Sequence, residues 1–463
     1  MMNWDDFAHF GADAAAWAAN YHKTLGERPV RAPLTPGTTA AQIPATPPET
    51  GEGMEAILAD FERIIMPGIT HWQHPRFFAY FPANATPPSV LAEWLVAAIA
   101  PQCMIWQTSP AGTELETVMM EWLRQGVGLP DRFKGVIQDS ASSATLAATL
   151  VMRERATGWQ GNASGVAQGP RLRVYATSEV HSSIDRAIWI SGIGAENLVR
   201  IPTQGPRRSM DPAALDAAIR ADIAAGYTPA GVIACVGGTG VGACDPLAEV
   251  IRVAHAHNLY VHVDAAWAGS AMICPEFRDL WAGVEGADSV VFNPHKWLGA
   301  QFDCSAHFVA EPELLVKTLA IQPEYLKTHG ADGIINYSEW SIPLGRRFRA
   351  LKLWFLMRAY GLEGLRNVLR GHVAWAQGLA EKLRAHPRIE IVTEPVLSLF
   401  SFRLKDGDEA AQIDWLKRIN DDGRIYLTPT KVDGAMVLRF QAGAFAMTEA
   451  DADIAYEVIT SLA

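Results

Sequence analysis

The alternation of short apolar runs with helix-like segments, which begins near residue 135, constrains the fold most. Helical periodicity covers residues 142–155, 212–224 and 247–257, and Asp211 followed by Pro212 is a typical start for the second of these helices. Strands that alternate with helices predict an α/β fold with a mainly parallel sheet covered on both faces, and with ligands at the carboxyl ends of the strands. The candidate strands are residues 135–137, 172–176, 231–236, 259–263 and 289–292.

Two further regions flank this core. Aromatic residues recur at helical spacing from about residue 4 to 25, and the proline-rich stretch 29–48 follows. Such a tethered helix either packs on a second subunit or lies as an ordinary helix on its own subunit. Beyond residue 350, helical stretches at 351–359 and 374–385 precede two strand pairs, 397–404 and 425–440, the second interrupted by a turn at 432–434. These patterns predict an N-terminal helical segment (1–84), a large domain (85–350) and a small C-terminal α+β domain (351–463).

Charge and composition exclude several classes of partner. The 463-residue chain carries a formal net charge of −11 and no basic run, which argues against nucleic acid or an anionic membrane. The longest apolar stretch, residues 90–106, is interrupted by Glu93 and Gln102 and is too short for a membrane span. Five scattered cysteines form no metal-binding motif, so we expect no metal. The first residues do not resemble a secretory signal, and we expect a cytoplasmic protein.

A lysine and an aspartate end two successive candidate strands. Lys296 follows the run 289–292, and Asp264 follows the run 259–263. An ammonium group avoids apolar surroundings unless they lower its pKa for use as a nucleophile. A site for pyridoxal 5'-phosphate (PLP) requires this pair, because the lysine holds the cofactor's aldehyde as an imine and the aspartate faces the pyridine nitrogen. A lone lysine would more often point into solvent, but the aspartate reverses that expectation.

Polar residues at two other strand ends fit the same cofactor. Ser140 and Ser142 open a helix, where unpaired N–H groups and hydroxyls can bind a phosphate, although plain helix capping by serine is more common. His181 follows the strand 172–176, where an imidazole can lie over a flat ring or simply occupy an exposed loop.

The glycine-rich segment 238–243 offers a competing interpretation. It fits G-x-G-x-x-A after a strand, and Asp264 ends the next strand, as in a nicotinamide-dependent oxidoreductase. However, Asp245 and Pro246 separate the glycines from the following helix, and a dehydrogenase leaves Lys296 without a role. In a PLP enzyme the glycines form a close turn, and Thr239 can donate a hydrogen bond to the ring hydroxyl of the cofactor.

Taken together, the motifs resemble those of the pyridoxal-dependent group II amino-acid decarboxylases, in particular the members that act on aromatic amino acids. The resemblance covers almost the whole chain. It implies PLP fold type I, with a mainly parallel seven-stranded sheet, and an obligate homodimer whose active sites lie at the subunit interface. It also implies that the N-terminal helical segment (1–84) is a dimerisation segment that swaps onto the partner subunit. The segments that carry the resemblance are residues 70–82, 109–116, 136–138, 181–183, 261–266, 293–297 and 342–349.

The resemblance also implies roles for individual residues. Lys296 would bind the cofactor aldehyde, Asp264 the pyridinium, Ala266 would pack under the ring and His181 would stack above it. Tyr325 matches the tyrosine that returns a proton to the substrate carbon after CO₂ departs. The phosphate would be bound by Ser140, Ala141, Ser142 and Asn293 with His295 beside it, and the aromatic substrate by Trp72, Tyr80, Phe81 and Pro82, with Met104 supplied by the other subunit.

The resemblance also defines an alternative product and a substrate preference. Aldehyde synthases of the plant type carry Phe at the position of Tyr325, and those of insects carry Asn at the position of His181, so both residues favour plain decarboxylation. Asp139 and Ala83 depart from the Gly and Thr of the animal enzymes. Gly345 stands where histidine-decarboxylating relatives have Ser. Either it leaves room for tryptophan, tyrosine, phenylalanine or DOPA in a broad apolar pocket, which is the prediction, or it only serves the backbone turn before Arg346.

Overall fold

The structure is a computed structural model that describes residues 2–321 and 333–463. Its centre is a seven-stranded sheet, and a separate four-stranded sheet is formed by the last part of the chain. The strands are β1 (Lys134–Gln138), β2 (Leu172–Ala176), β3 (Leu198–Arg200), β4 (Thr203–Gln204), β5 (Ser209–Met210), β6 (Thr228–Cys235), β7 (Tyr260–Asp264), β8 (Ser289–Phe292), β9 (Ser305–Val309), β10 (Ile389–Val396), β11 (Leu399–Leu404), β12 (Thr428–Val432) and β13 (Ala435–Gln441).

The central sheet has the strand order β1-β9-β8-β7-β6-β2-β3. The strands from β8 to β3 are parallel to their neighbours, whereas β9 runs antiparallel to both β1 and β8. The predicted α/β class with a mainly parallel seven-stranded sheet is therefore confirmed. Because β6, β7 and β8 are parallel neighbours, their carboxyl ends bring the segments after Cys235, Asp264 and Phe292 to one edge.

Helices cover both faces of this sheet and connect its strands. The helix that follows β1 begins with Ser140 as N-cap, and the helix that precedes β6 begins with Asp211, whose carboxylate accepts two backbone N–H groups as the sequence predicted. The helices are α1 (Trp4–Thr24), α2 (Met54–Asp60), α3 (Pro87–Ile99), α4 (Pro110–Val127), α5 (Ala141–Ala156), α6 (Gly161–Ser164), α7 (Ser183–Ile190), α8 (Pro212–Ala224), α9 (Leu247–Ala256), α10 (Pro294–Trp297), α11 (Pro312–Leu319), α12 (Ala350–Arg384), α13 (Glu409–Asp422) and α14 (Glu449–Ser461).

Several elements differ from the sequence-based expectation. The central strands β3 and β9 were not predicted: β3 has only three residues, and in β9 the polar Ser305 and His307 interrupt the apolar pattern although every residue is buried. The expected strand pair at 397–404 was wrong, because that region supplies β11 alone and its partner is β10. The two helical stretches expected after residue 350 belong to α12, which is broken at Gly361, where φ is 61°.

The N-terminal helix α1 has no buried residue, and Trp4 and Phe7 are exposed. It is held to the chain by a few polar contacts, among them the bond from Trp17 Nε1 to Glu62. The predicted division of the chain at residues 84 and 350 stays a prediction. In the described part of the chain, no helix is long and apolar enough to cross a membrane.

Candidate active site

An inner cavity of about 210 Å³ lies at the carboxyl ends of β6, β7 and β8. It contains the ends of these strands, the start of α5 and the loop that carries His181, as the alternation of elements predicted. The inner cavity is lined by Phe81, Ser140, Ala141, Ser142, His181, Ser183, Cys235, Gly237, Gly238, Thr239, Asp264, Ala266, Trp267, Asn293 and Lys296.

Lys296 lies in the short helix α10 directly after β8. The loss of water around its ammonium group lowers the pKa of Lys296 to about 8, although Asp264 opposes this shift; the cationic Arg439 adds to it. Its Nζ lies 4.9 Å from the ring centre of Phe81. A lysine with a pKa this close to neutrality presents a substantial fraction of neutral amine, which is the form that attacks an aldehyde.

Asp264 is buried at the end of β7, and backbone hydrogen bonds fix its surroundings. The N–H of Ala266 donates to Asp264 Oδ1 at 3.0 Å, and the N–H of Asn293 donates to the Ala266 carbonyl at 2.9 Å. The Ser305 hydroxyl donates to Asn293 Oδ1, which leaves the amide N–H groups of Asn293 as donors. The ends of β7 and β8 are therefore tied together around the carboxylate.

The start of α5 supplies the site for an anion. Ser140 caps this 16-residue helix by accepting the N–H of Ser143 at 3.3 Å. Ala141 and Ser142 occupy the first turn, where backbone N–H groups have no partner within the helix and the helix dipole favours negative charge. Asp139 is not among the cavity-lining residues.

His181 keeps an exposed ring that faces the cavity, and Ser183 orients it. The Ser183 N–H donates to His181 Nδ1 at 3.1 Å, and the Ser183 hydroxyl lies 2.8 Å from the same nitrogen. Because Nδ1 accepts the backbone N–H, the neutral ring carries its proton on Nε2. Surrounding protein atoms lower the pKa of His181, with Lys296 adding to the shift and Asp264 opposing it, so the neutral form predominates at pH 7. Sequence reasoning placed Ser183 in a motif but gave it no role.

An outer cavity of about 650 Å³ shares His181, Thr239, Phe81 and Lys296 with the inner one. Its wall combines the segment before α3, the loop after Lys296 and the strand β12. Trp72 and Tyr80 stack with ring centres 5.6 Å apart, and both rings are partly exposed. The remaining lining residues are Pro82, Ala83, Gly240, His295, Phe302, Thr428, Pro429, Thr430 and Arg439.

Arg439, in β13, lines the outer cavity and was missed by the sequence analysis. Its guanidinium lies 4.6 Å from the ring centre of Phe81, and Nη1 donates to the Tyr80 carbonyl. Within the described chain, Nε and Nη2 have no hydrogen-bond partner, and burial lowers the pKa of Arg439 to about 9. A buried, incompletely paired cation in a cavity wall indicates an anionic ligand. The sequence gave no signal, because Arg439 lies in an ordinary apolar strand far from every motif.

His295 and Phe302 form another part of the outer wall. The Cys304 N–H donates to His295 Nδ1 at 2.9 Å, and burial lowers the pKa of His295 to about 3, so this ring is neutral. His295 therefore adds no positive charge to the wall of the outer cavity. The ring of Phe302 lies 4.8 Å from that of His295 and is 56% exposed, and sequence reasoning did not select it.

Two predicted residues, Met104 and Gly345, are not among the described residues that line these cavities. Met104 and Gly345 lie near each other, because the Cys103 N–H donates to the Arg346 carbonyl at 3.0 Å, but neither lines the inner or outer cavity of its own chain. Tyr325 lies outside the residues that the structure describes.

A stack of three aromatic rings packs against the residues of the inner cavity. Phe81 stacks on Trp267 at 4.8 Å, and Trp267 stacks on Trp297 at 5.0 Å. Trp297 Nε1 donates to His372 Nδ1 at 2.9 Å, which anchors the residue next to Lys296 to α12. Such packed rings restrict the rotamers of the residues that they carry.

The inner cavity fits PLP by the chemistry of its groups. A lysine with a lowered pKa suits the aldehyde, a buried carboxylate suits the pyridine nitrogen, and a helix N-terminus with hydroxyls suits the phosphate. Gly237 has φ of 79°, and the N–H groups of Gly237 and Gly238 both donate to the Ala243 carbonyl, so the glycine-rich segment forms a tight turn. Among residues 2–321 and 333–463 there is no cluster of three potential metal ligands.

Comparisons with known proteins agree with this chemistry. The model of the pyridoxal-dependent decarboxylase conserved domain matches residues 36–405. The aromatic-L-amino-acid decarboxylase of Sus scrofa is 42% identical over 100% of this chain and 97% of that protein. The crystal structure of Oryza sativa TDC with PLP and tryptamine has a TM-score of 0.95 at 34% identity, over 100% of this chain and 98% of the other. That of Rhodiola rosea 4-hydroxyphenylacetaldehyde synthase has a TM-score of 0.92 at 32% identity, with the same coverage.

The chain therefore belongs to the pyridoxal-dependent decarboxylase family. Its cofactor is PLP, and the enzyme is a PLP-dependent carboxy-lyase. This membership decides against the nicotinamide-dependent alternative, and the glycines at 238–243 are left with the role of a backbone turn.

Proposed function

We propose that this enzyme decarboxylates an aromatic L-amino acid, namely tryptophan, tyrosine, phenylalanine or DOPA, to the corresponding arylalkylamine and CO₂. The observation that carries the proposal is Lys296, an amine with a lowered pKa that faces both a cofactor-sized inner cavity and an aromatic outer cavity. The aromatic-L-amino-acid decarboxylase from Sus scrofa and the tryptamine complex of the rice enzyme support this substrate class.

The inner cavity would hold PLP through five kinds of contact. Lys296 would bind the aldehyde, Asp264 would favour the protonated pyridine, and Ala266 would leave room under the ring. PLP bound there supplies a ring that accepts the electron pair left when CO₂ departs. The phosphate would be bound by Ser140, Ala141, Ser142 and Asn293, and Thr239 would donate to the ring hydroxyl. The neutral His295, which lines the outer cavity, would lie beside the phosphate.

The chain's own side chains would orient the bond that breaks. Decarboxylation requires the carboxylate to lie perpendicular to the cofactor ring. We propose that Arg439 is the cation that this carboxylate faces, because two of its nitrogens lack a partner in the described residues. His181, neutral and protonated on Nε2, would cover the opposite side without adding charge. Trp72, Tyr80, Phe81 and Pro82 would exclude water around the substrate ring, which favours loss of the carboxylate's charge.

The reaction ends with a proton on the carbon that lost CO₂. We propose Tyr325 as its donor on the basis of its motif, and this residue lies outside the described structure. If the proton arrives late, O₂ can oxidise the electron-rich carbon and is itself reduced to hydrogen peroxide, and water then releases the aldehyde and ammonia. The similarity to the Rhodiola rosea aldehyde synthase makes this the second candidate function.

A substrate panel separates the two candidates. The enzyme loaded with PLP is incubated with the four aromatic amino acids, histidine and glutamate, and amine, aldehyde and hydrogen peroxide are measured. We expect amine with little peroxide, and a shift toward aldehyde in Tyr325→Phe. Equal amounts of aldehyde and peroxide from the unaltered enzyme would establish the aldehyde synthase instead. Release of CO₂ from glutamate or histidine alone would contradict the aromatic substrate class.

We further propose a homodimer in which α1 and α3 lie at the subunit interface. The exposed face of α3 carries Leu91, Trp94, Leu95 and Ile99, each at least 46% exposed, and an apolar cavity of about 970 Å³ lies between α1, α2 and α3. A contiguous apolar face of this kind is typical of a protein interface. In the dimer, Met104 and Gly345 would reach the outer cavity of the partner subunit.

Sedimentation of the unaltered enzyme and of Leu95→Asp tests the dimer. We expect a mass of two chains for the first and a shift toward one chain for the second, because burying a carboxylate in an apolar interface is unfavourable. A monomeric active enzyme would contradict the proposal. The cytoplasmic location stays a prediction, which cell fractionation would test.

A further inference from the structure

Arg208 joins three parts of the molecule that lie far apart in the sequence. It lies in the turn between β4 and β5, and its Nε donates to Glu179 Oε1 at 2.7 Å. Its Nη1 donates to Asp433 Oδ1 at 2.9 Å, in the turn between β12 and β13. One guanidinium therefore connects the central sheet region to the hairpin β12–β13 of the C-terminal sheet.

The first partner, Glu179, belongs to the loop that carries His181. Its side chain is 13% exposed and that of Arg208 is 24% exposed, so the pair is shielded from most of the solvent. A shielded, charge-assisted hydrogen bond is stronger than an exposed one. The Glu179 N–H donates to Thr177 Oγ1 at 3.2 Å, which fixes the start of the same loop at the end of β2.

The turn that carries Arg208 is also bonded to the segment that follows Thr239. The Cys244 N–H donates to the Arg207 carbonyl at 3.2 Å, and the Ser209 hydroxyl donates to the Cys244 carbonyl at 2.6 Å. The buried Asp245 accepts the N–H groups of Met210 and Cys235, both at 2.7 Å. The hairpin β4–β5 and the end of β6 are therefore held against one carboxylate.

The glycine-rich segment 238–243 directly contacts the loop that carries Glu179 and the hairpin β12–β13. A Cβ at Gly238 would lie 2.8 Å from the Glu179 carbonyl oxygen, so the two loops touch at a position where only glycine fits. Val241 packs with Val432 and Val437 of the hairpin β12–β13. His181 and Thr239, which line both cavities, thus lie on loops that are fastened to each other and to the C-terminal sheet.

We infer that Arg208 is a positioning residue that holds His181 and Thr239 against the cofactor by tying their loops to the hairpin β12–β13. The hairpin also carries Thr428, Pro429 and Thr430 of the outer cavity, so the same contact sets the outer wall relative to the cofactor. Arg208 touches neither cavity and acts only through these loops. The inference rests on the proposed cofactor contacts of His181 and Thr239.

Arg208→Met tests the inference, with Arg207→Met as the matched control. Arg207 is the exposed neighbour in the same turn, and its substitution removes the same charge. In Arg208→Met we expect the dissociation constant of PLP, measured by visible absorbance, to rise about 10-fold, the effect of losing one shielded charge-assisted hydrogen bond. Hydrogen exchange of residues 177–183 and 428–436 should rise in the cofactor-free protein, and Arg207→Met should change neither quantity.

Two milder variants test separately the hydrogen bonds from Arg208 to Glu179 and to Asp433. They can still be measured if Arg208→Met does not fold. Glu179→Gln should weaken PLP binding nearly as much as Arg208→Met. Asp433→Asn should weaken it by a smaller but measurable factor of about 3, because it breaks the tie to the hairpin at a carboxylate that is 78% exposed. Arg208→Lys keeps the charge but not the two-armed geometry, and should restore part of the affinity. In the holoenzyme, these variants should alter the pH midpoint of the cofactor absorbance, which a purely structural loss of stability would not move.

Unchanged PLP affinity and exchange in Glu179→Gln and Arg208→Met would overturn the inference, and so would an equal effect of Arg207→Met. Failure of the proposed function would give a different set of results. If the enzyme released no amine from any aromatic amino acid, PLP affinity and hydrogen exchange would still report whether Arg208 positions the two loops.

Discussion

The inner and outer cavities differ in how the chain builds them. The inner cavity is assembled from the ends of adjacent parallel strands, and backbone hydrogen bonds such as that from Ala266 to Asp264 fix its groups. The outer cavity combines segments from the first hundred residues, the loop after β8 and the strands β12 and β13. If the proposed roles hold, reaction chemistry depends on one sheet edge, whereas substrate choice depends on contacts between distant parts of the chain.

Lys296→Ala should have the largest effect, because it removes the amine on which the inner cavity depends. We expect amine release to fall below detection and the visible absorbance of bound cofactor to disappear, while circular dichroism and Tm show a folded protein. Lys417→Ala, at an exposed lysine of α13, is the matched control and should behave as the unaltered enzyme. Turnover at a near-normal rate in Lys296→Ala would contradict the assignment.

Loading of the cofactor-free enzyme should depend strongly on pH. The pKa of Lys296 is lowered to about 8, and only the neutral amine attacks an aldehyde, so the loading rate should rise as the pH increases toward 8 and level off above it. Below the pKa the rise approaches about tenfold for each pH unit. Asp264→Asn removes the carboxylate that raises this pKa, and should move the profile to lower pH. A rate that is flat between pH 6 and 8 would show that Lys296 is not the titrating group.

Arg439→Met probes the outer cavity. We expect KM for an aromatic amino acid to rise about 10-fold and kcat to fall as well, because the charged hydrogen bond would both bind the carboxylate and orient the bond that breaks. Because Arg439 lowers the pKa of Lys296, the loading profile should also move to higher pH. Arg403→Met, which removes an arginine paired with Glu390 in the same sheet, is the control. Unchanged KM together with an unshifted profile would exclude a role for Arg439 in the site.

The two cavities also differ in how much of them could be predicted from the sequence. Lys296, Asp264 and Ser140 follow strands directly, so local sequence patterns suffice to place them on one sheet edge. Arg439 and Phe302 could not be found in this way, because they reach the site only through the packing of the C-terminal sheet and a loop. Periodicity identifies elements, but it does not specify which distant elements meet.

The same limit applies to predicting the fold from the sequence. The buried parallel strands β6, β7 and β8 and the capped helix α8 were predicted from apolar runs and turn residues. The strand β9 was missed because Ser305 and His307 interrupt its apolar pattern, and its place between β1 and β8 depends on long-range pairing. Gly361 could mark either a helix end or a break within α12, and only the packing decides.

His307 tests how a buried ring without hydrogen-bond partners affects the stability of the central sheet. Its ring is fully buried in β9, 6.0 Å from that of His262, and neither ring nitrogen has a hydrogen-bond partner in the described residues. Burial lowers the pKa of His307 to about 3. Between the unfolded value of about 6.5 and this folded value, only the unfolded chain binds the proton, so stability falls as the pH falls, by up to about 1.4 kcal/mol per pH unit.

His307→Leu should therefore raise the free energy of unfolding by about 1–3 kcal/mol at pH 7, because it removes unpaired buried polar groups. It should also reduce the loss of stability between pH 6 and 4. Urea unfolding at several pH values measures both effects. His9→Gln, at an exposed histidine of α1, should change neither. A destabilised His307→Leu would show that a buried water or another group satisfies this ring.

Gly345→Ser should have the smallest effect, because Gly345 lines neither cavity of its own chain. The nearest atom to an added Cβ, apart from its chain neighbours, is Gln102 Oε1 at 3.6 Å, so the substitution should leave folding intact. If Gly345 reaches the partner's outer cavity, serine narrows it and adds a hydroxyl. We then expect kcat/KM for tryptophan to fall less than about 10-fold while that for histidine changes less or rises, since one small group in a pocket contributes about 1–3 kcal/mol.

Gly378→Ser, at an exposed open position of α12, is the control. Equal kcat/KM ratios in both variants and the unaltered enzyme would show that Gly345 serves only the turn before Arg346, and a native preference for histidine would contradict the broad aromatic pocket.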